Sequence, residues 1–461
     1  MATGKNPVNP PISDHRVTNR LAHAPIGQLL RHYALPAVIG TLVVSLYNIV
    51  DRIFIGHGVG SEAISGLALT FPIMTLSIAC GMLVGTGGGA RISILLGKGD
   101  REQACHVLGN CLLLNIGIGL VYSVTNYYWM DDILFAFGGS KKTLPYAREY
   151  LQVIVPFALL SNLSFSFNNM MRSSGYPRKA MYTMIISAVA NIILDALFIF
   201  VFDLGIRGAA IATVLAMSIT AVWVMVHYLQ PKHEVHFTRA SLRLNRRVVW
   251  SIVTIGLSPF LINLTASLVN VILNKSLLTY GGDLAIGAYG IINSYITLVV
   301  MLVIGTSQGM QPIVGYNYGA QHYDRVIEAF KKTVLLATAI TTVGSLIAQC
   351  FPGAVTGAFT HDAELMAIAT NGLHIILVAF PIVGFQIVTT SLFQSIGQAS
   401  IAVFLSLSRQ VLLLLPLIWF LPRLLQLNGV WGASPIADTL SALLAASMLA
   451  HRYYRLKHRK A

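Results

Sequence analysis

Residues 28–55 have the sequence QLLRHYALPAVIGTLVVSLYNIVDRIFI and are apolar enough to cross a lipid bilayer as one helix. A bilayer contains about 30 Å of hydrocarbon, which about 20 mostly apolar residues span as an α-helix. This stretch nevertheless contains the carboxylate of Asp51, and placing such a charge at the middle of a spanning helix costs roughly 2.5–3.5 kcal/mol. A charge kept at that cost indicates function. We therefore predict that Asp51 belongs to an ion-binding or proton-binding site.

The same stretch has a polar face and an internal proline. Tyr47 lies four residues before Asp51 and Asn48 lies three residues before it, so we predict that all three side chains share one helical face. A polar face on an apolar helix is expected to look into a protein interior or a water-filled cavity. Near the other end, Pro36 removes a backbone hydrogen bond, and we predict that the helix bends there.

The composition extends this interpretation to the whole chain. Of its 461 residues, 55% are hydrophobic and 10% are charged, and the mean hydropathy is +0.70. An ordinary soluble domain carries about 25% charged residues. We therefore predict an all-α polytopic membrane protein with twelve transmembrane helices. They are expected at about 28–55, 63–96, 103–128, 146–173, 178–202, 206–230, 248–279, 285–317, 326–351, 366–394, 399–421 and 428–452.

Polar segments divide the chain into two halves. Residues 1–27 contain four prolines and no apolar core, which predicts a flexible cytoplasmic tail rather than a cleavable signal peptide. Residues 231–247 are the next longest polar stretch and are predicted to be a cytoplasmic linker. The expected organisation also includes an N-terminal six-helix bundle at 28–230, a C-terminal six-helix bundle at 248–452 and a cytoplasmic basic tail at 453–461.

The two halves resemble each other in sequence. GTGGGARISILLGKG (85–99) and GTSQGMQPIVGYNYG (305–319) share the pattern G-T-x-x-G-x9-G. LPAVIGTLVVSLYNIVD (35–51) aligns with SPFLINLTASLVNVILN (258–274), and GIRGAAIAT (205–213) aligns with GVWGASPIA (429–437). Three landmarks in the same order indicate a duplicated unit. We expect two pseudo-symmetric bundles related by an axis along the membrane normal.

The distribution of basic residues predicts the orientation in the membrane. If the N-terminus is cytoplasmic, 22 of the 31 Lys and Arg fall on the cytoplasmic side and 7 fall outside, while Arg91 and Arg409 lie within spans. This excess is the positive-inside pattern, so both termini are expected in the cytoplasm and the chain in the inner (plasma) membrane. The net charge of +14 then indicates contact with the lipid bilayer rather than with nucleic acid.

A duplicated bundle with a cavity between its halves is typical of a secondary transporter. The sequence lacks a G-x-x-x-x-G-K-[ST] loop, an HExxH motif and a repeated filter sequence, which disfavours an ATP-driven pump, a metalloenzyme and a channel. A substrate-sensing receptor is disfavoured as well, because the tail of about ten residues is too short for a signalling domain. We expect neither an enzyme nor a bound cofactor.

Several segments resemble the multidrug and toxic compound extrusion (MATE) family. They are LPAVIGTLVVSLYNIVDRIFIGHGVG, GTGGGARISILLGKGD and RSSGYPRKAMYTMIISAVANIILDALFIF, and the resemblance is greatest to the bacterial subgroup with an aspartate in its first helix. It implies a twelve-helix monomeric antiporter that exports cationic, amphiphilic small molecules in exchange for H+ or Na+. A flippase for a lipid or lipid-linked precursor, which would have a similar cavity, is the alternative.

The candidate site combines residues from several spans. Asn191 and Asp195 are four residues apart and therefore point from one helical face. The resemblance places them with Asp51 and Thr213 around one cation or proton site, with Tyr47 beside it, and implies no metal ion other than Na+. Carboxylate and amide oxygens suit a hard cation, while burial and a neighbouring like charge favour a protonated carboxyl group. The alternative is that Asp195 pairs with Arg207 or Arg52.

The C-terminal half lacks this arrangement, because Asn274 stands where the repeat would place the first-helix aspartate. Its candidate polar sites are Asn274, Gln308, Arg409 and Asp438. Arg409 and Asp438 are predicted to neutralise each other on neighbouring helices, and their sequence leaves a structural pair and a coupling role equally open.

Overall fold

The computed structural model describes residues 15–137 and 142–458, and within them every regular element is helical. The N-terminal half contains α1 (His15–His23), α2 (Ile26–Gly58), α3 (Ser61–Gly97), α4 (Arg101–Tyr128), α5 (Met130–Ala136), α6 (Leu144–Ile154), α7 (Ala158–Ser173), α8 (Pro177–Ala196) and α9 (Gly205–Leu229). The C-terminal half contains α10 (Arg246–Gly319), α11 (Tyr323–Cys350), α12 (Pro352–Gly357), α13 (Ala363–Ile376), α14 (Phe380–Ser395), α15 (Ala399–Leu407), α16 (Leu415–Phe420) and α17 (Pro422–His458). Of the predicted tails, residues 1–14 and 459–461 lie outside the described residues.

Eleven described helical segments are long and apolar enough to cross a membrane. One of them, α10, would be about 111 Å long as a straight helix of 74 residues. That is far more than the roughly 30 Å of a bilayer core, and the chain turns within it at Gly282, whose φ is 68°. Because α10 therefore contains two spans, the structure confirms the predicted twelve transmembrane helices.

The duplication is visible in the helix breaks. Residues Val155–Phe157 form a 3₁₀ turn between α6 and α7, and residues Leu377–Ala379 form one between α13 and α14. Pro156 lies in the first turn and Pro381 follows the second, and proline removes an N–H that a continuous α-helix needs. Equivalent spans of the two halves are thus kinked at equivalent places.

The halves pack closely at one end of the bundle, which we call the linker end because residues 230–245 connect the halves there. A Cβ atom on Gly87 of α3 would overlap the carbonyl oxygen of Ile252 in α10, and one on Gly256 of α10 would overlap the carbonyl oxygen of Leu83 in α3. A second glycine in each helix, Gly97 and Gly319, makes the same kind of contact further along. These four glycines thus let the two backbones touch.

The N-terminal segment is fastened to the C-terminal half at the linker end. Arg325 of α11 donates hydrogen bonds to the carbonyl oxygens of Ala24 (2.7 Å) and Leu21 (3.1 Å), and to Oδ1 of Asn317 (2.9 Å). Leu21 and Ile26 are fully buried beside these bonds. Helix α1 lies within the predicted flexible tail but is part of the folded structure, so the prediction of flexibility is wrong for this helix.

Candidate functional site

The site is built on α2 and α8, which pack against each other in the N-terminal half. Asp51 lies in the second half of α2, and Asp195 lies at the end of α8, directly before a π-helical turn at Leu197–Val201. The two carboxyl groups are neighbours within hydrogen-bonding range. Asp195 is 0% exposed, whereas Asp51 is partly exposed. The structure therefore brings together two acidic groups that lie far apart in the chain.

Oxygen-bearing side chains of α8, α9 and α6 surround the two carboxyl groups. Asn191 lies one helical turn before Asp195, is buried, and donates from Nδ2 to Oγ1 of Thr213 in α9 at 3.4 Å. The hydroxyl of Tyr150, a buried residue of α6, lies beside Thr213 and the carboxyl groups, and Tyr47 of α2 lies beside both acids. The resulting pocket is lined with oxygen atoms and closed by aromatic rings.

Several of these oxygens have no donor to satisfy them. Among the described residues, Oδ1 of Asp51, Oδ1 of Asn191 and both carboxyl oxygens of Asp195 are buried without a hydrogen-bond partner. Two unit charges 4 Å apart repel by about 4 kcal/mol at an effective dielectric constant of about 20. Two ionised carboxylates can only accept hydrogen bonds, so a proton on one of them or a cation between them is needed to satisfy the pair. The carboxyl, amide and hydroxyl oxygens of this site suit either a proton or a cation.

The alternative of structural ion pairs is not what the structure shows. Within residues 15–137 and 142–458, neither Asp51 nor Asp195 lies within ion-pair distance of a Lys or Arg. Arg52 exerts only a weaker electrostatic effect on its neighbour Asp51, and it points away into an exposed position. Arg207 makes no described ion pair with Asp195 either. The two acids are thus paired with each other.

Asn48 and Pro36 are the two other residues of α2 for which the sequence makes a prediction. Asn48 is exposed, and its side-chain amide donates to the carbonyl oxygen of Val44 at 2.9 Å. At 3.6 residues per turn, Asn48 lies about 60° to one side of Asp51 and Tyr47 about 40° to the other, and Tyr47 lies beside both acids. Pro36 is buried, and α2 continues through it without interruption. Bending at Pro36 stays a prediction.

The polar residues predicted in the C-terminal half do not form one site. Arg409, in a π-helical turn at Ser408–Leu414, donates from Nε to Oδ1 of Asp438 at 2.5 Å, which confirms the predicted pair. Gln308 instead accepts a hydrogen bond from Arg172 of the other half, and Asn274 is exposed. The two halves are therefore unlike in chemistry, although they are alike in fold.

Sequence reasoning did not single out Tyr150 beside the carboxyl pair or Arg172 between the halves. Tyr150 lies in the polar first part of its span, beside Arg148 and Glu149, and no helical spacing relates it to Asp51 or Asp195. Arg172, which is counted among the basic residues of the cytoplasmic side, is 4% exposed near the end of α7 and donates hydrogen bonds to Gln308 and Asn168. Arg172 lies near the end of the predicted span at 146–173. Sequence alone does not distinguish a basic residue that follows a span from one just inside it.

The Arg409–Asp438 pair yields a stability prediction. Asp438→Asn is expected to lower the free energy of unfolding by about 1–3 kcal/mol, because it leaves the partly buried guanidinium of Arg409 without its charged partner. Thermal unfolding of the purified protein in detergent measures the effect. The double variant Arg409→Gln/Asp438→Asn is expected to regain most of it, and if dye efflux is also regained, the pair is structural. Restored stability without efflux would instead assign it a coupling role.

Known proteins resemble this chain over nearly its whole length. The family model described as MatE matches residues 36–197 and 259–420. The chain belongs to the MatE family. The two matches begin at Pro36 and Pro259, the prolines paired by the internal repeat, which confirms the duplication. MatE proteins are transporters and not enzymes.

The multidrug export protein MepA of Staphylococcus aureus (strain MSSA476) is 28% identical over 422 residues, covering 92% of this chain and 93% of MepA. MepA of Staphylococcus saprophyticus is 27% identical over 416 residues, covering 90% and 92%. A multidrug resistance MATE family transporter solved in an outward-facing conformation superposes with a TM-score of 0.91 at 24% identity, covering 97% of this chain and 100% of that one. A MATE protein in the bent conformation gives 0.91 at 23% identity, covering 97% and 99%. These superpositions establish the MatE fold of two bundles.

Proposed function

We propose that this MatE protein is a multidrug efflux antiporter that exports cationic, amphiphilic compounds in exchange for H+ or Na+. The observation that carries the proposal is the pair of adjacent carboxyl groups, Asp51 and Asp195, whose buried oxygens have no donor among the described residues. Ion-coupled transport requires a site that binds and releases a positively charged ion in each cycle. The names of the MepA relatives support multidrug compounds as the cargo.

The same residues supply the coupling step. In the proposed cycle, both carboxylates are ionised when the drug binds, and the pocket stays hydrated because two adjacent charges need water. A proton, or a Na+ held by Asp51, Asp195, Asn191 and Thr213, neutralises the pair and removes the need for that water. Helix α2 then repacks with a bend at Pro36, and the drug leaves. The ion and the drug need only prefer different conformations of the protein.

The direction of transport follows from where the halves touch. The glycine contacts close the linker end, and the basic residues concentrated there favour a cytoplasmic position for it. Asp51 lies 15 residues beyond Pro36, about 22 Å further along α2 and away from that seal. A site reached from outside while the cytoplasmic end is closed suits uptake of an external ion. We therefore propose alternating access between two bundles of a monomer in the inner (plasma) membrane, with both termini cytoplasmic.

Dye efflux under separately imposed ion gradients tests the proposal. Purified protein is reconstituted into vesicles loaded with a fluorescent cationic dye, and a proton or a sodium gradient is applied alone. We expect dye movement with one of the two gradients and its loss when a matching ionophore collapses that gradient. Dye movement that is equally fast without a gradient and with either gradient would overturn ion coupling. Movement of a fluorescent lipid in place of the dye would favour the flippase alternative.

A further inference from the structure

A long groove lies on the outside of the N-terminal half, between α8 and α9. Its volume is about 720 Å³. Its walls are mostly apolar and partly exposed, with Val222 62% and Trp223 43% exposed. Because these helices span the bilayer, such exposed apolar side chains face lipid. The groove is therefore on the lipid-facing surface, separate from the carboxyl pair.

The groove has the length of a membrane lipid. Lys179 lines it at the linker end, and Leu194 lines it 15 residues further along α8, which is about 22 Å of helix. Half of a 30 Å hydrocarbon core is about 15 Å, so the groove accommodates acyl chains of one leaflet and reaches the headgroup level. Trp223 in its wall is a residue type enriched near that level.

The headgroup end carries polar groups in an otherwise apolar groove. Lys179, His227 and Gln230 line this end, and no residue that lines the groove is acidic. His227 is only 5% exposed, and within the described residues neither of its ring nitrogens has a hydrogen-bond partner. A buried imidazole of this kind is expected to meet a polar ligand, and one of its nitrogens donates when the ring is neutral.

We propose that the groove binds one anionic phospholipid, with its phosphate on Lys179 and His227 and its acyl chains along α8 and α9. The charge favours an anionic lipid, because Lys179 is basic and no residue that lines the groove is acidic. A neutral zwitterionic lipid would bring a cationic group into this positively charged surrounding.

The bound lipid would contact both the transport site and the linker. Leu194, at the deep end of the groove, directly precedes Asp195 on α8. At the headgroup end, the ring of His227 packs against that of His233 in the linker, with centroids 4.0 Å apart, and against that of Tyr176 at 4.8 Å. A lipid in this groove thus supports the helix that carries Asn191 and Asp195 and holds it to the connection between the halves.

Lipid retention by the full-length protein tests the proposal. The protein is equilibrated in nanodiscs of equal parts dioleoyl phosphatidylglycerol and dioleoyl phosphatidylcholine, extracted in mild detergent and measured by native mass spectrometry. We expect one retained phosphatidylglycerol. For Lys179→Gln we expect retention to fall about fivefold, since one basic side chain at an anionic membrane surface contributes about 1 kcal/mol.

Two further variants separate this groove from general charge effects. Arg178→Gln removes the same charge one residue earlier, on an exposed side chain outside the groove lining, and is expected to retain the lipid. Ser218→Phe keeps every charge but fills the groove, and is expected to lose the lipid. The proposal is overturned if both phospholipids are retained equally, if Lys179→Gln and Arg178→Gln behave alike, or if Ser218→Phe retains phosphatidylglycerol.

Discussion

Asp51→Asn is expected to reduce ion-driven dye efflux about 100-fold, near the top of the range for coupling free energies of 1–3 kcal/mol. The amide has nearly the shape of the carboxyl group but carries no charge, so neither a proton nor Na+ can change its state. Its N–H group can also donate to Asp195, which satisfies an oxygen that has no donor among the described residues. The pocket is then held permanently in its neutralised arrangement. The measurement is vesicle efflux under the driving gradient.

The control for this experiment is another acid-to-amide change. Asp203 lies in the exposed connection between α8 and α9 with a φ of 51°, a conformation that asparagine tolerates well. Asp203→Asn is therefore expected to retain full efflux, while Asp195→Asn should behave like Asp51→Asn. Equal amounts of each variant in the membrane show that folding is intact. Full efflux by Asp51→Asn would refute the coupling role.

Gly256→Ala is expected to lower efflux about tenfold by holding the linker end apart. The added Cβ would overlap the carbonyl oxygen of Leu83, a backbone atom that cannot move without its helix. Overpacking of this kind costs typically 1–3 kcal/mol, and that cost falls only on the conformation in which α3 and α10 touch. The population therefore shifts toward a conformation open at the linker end. Opening can be measured as maleimide labelling of Ser93→Cys, since Ser93 is buried in this seal.

Gly290→Ala is the matched control, because Gly290 lies in the same long helical segment and a Cβ there meets nothing within 4 Å. It should leave both efflux and labelling unchanged. Increased labelling with Gly256→Ala but not with Gly290→Ala would support the seal. If Ser93→Cys is labelled as slowly with Gly256→Ala as without it, the glycine contacts do not hold the linker end closed.

The sequence by itself determined the twelve spans, the duplication and most of the residues that meet around Asp51 and Asp195. Span length and hydropathy depend only on consecutive residues, and the bilayer thickness is the same for each helix. That Asn191 and Asp195 share one helical face depends only on the helical period, so it can be predicted from the sequence of that helix alone. The cost of an isolated charge in hydrocarbon marked Asp51 in the same way.

Only the tertiary structure decided which faces meet. Asp51 and Asp195 lie on different helices, and their contact depends on how α2 packs against α8. Tyr150 lies beside the carboxyl groups and Arg172 reaches Gln308 of the other half, and neither contact follows from local spacing. The physical reason is that helix packing is set by the shapes of both partners, here by glycines that allow backbones to touch, whereas periodicity describes one helix alone.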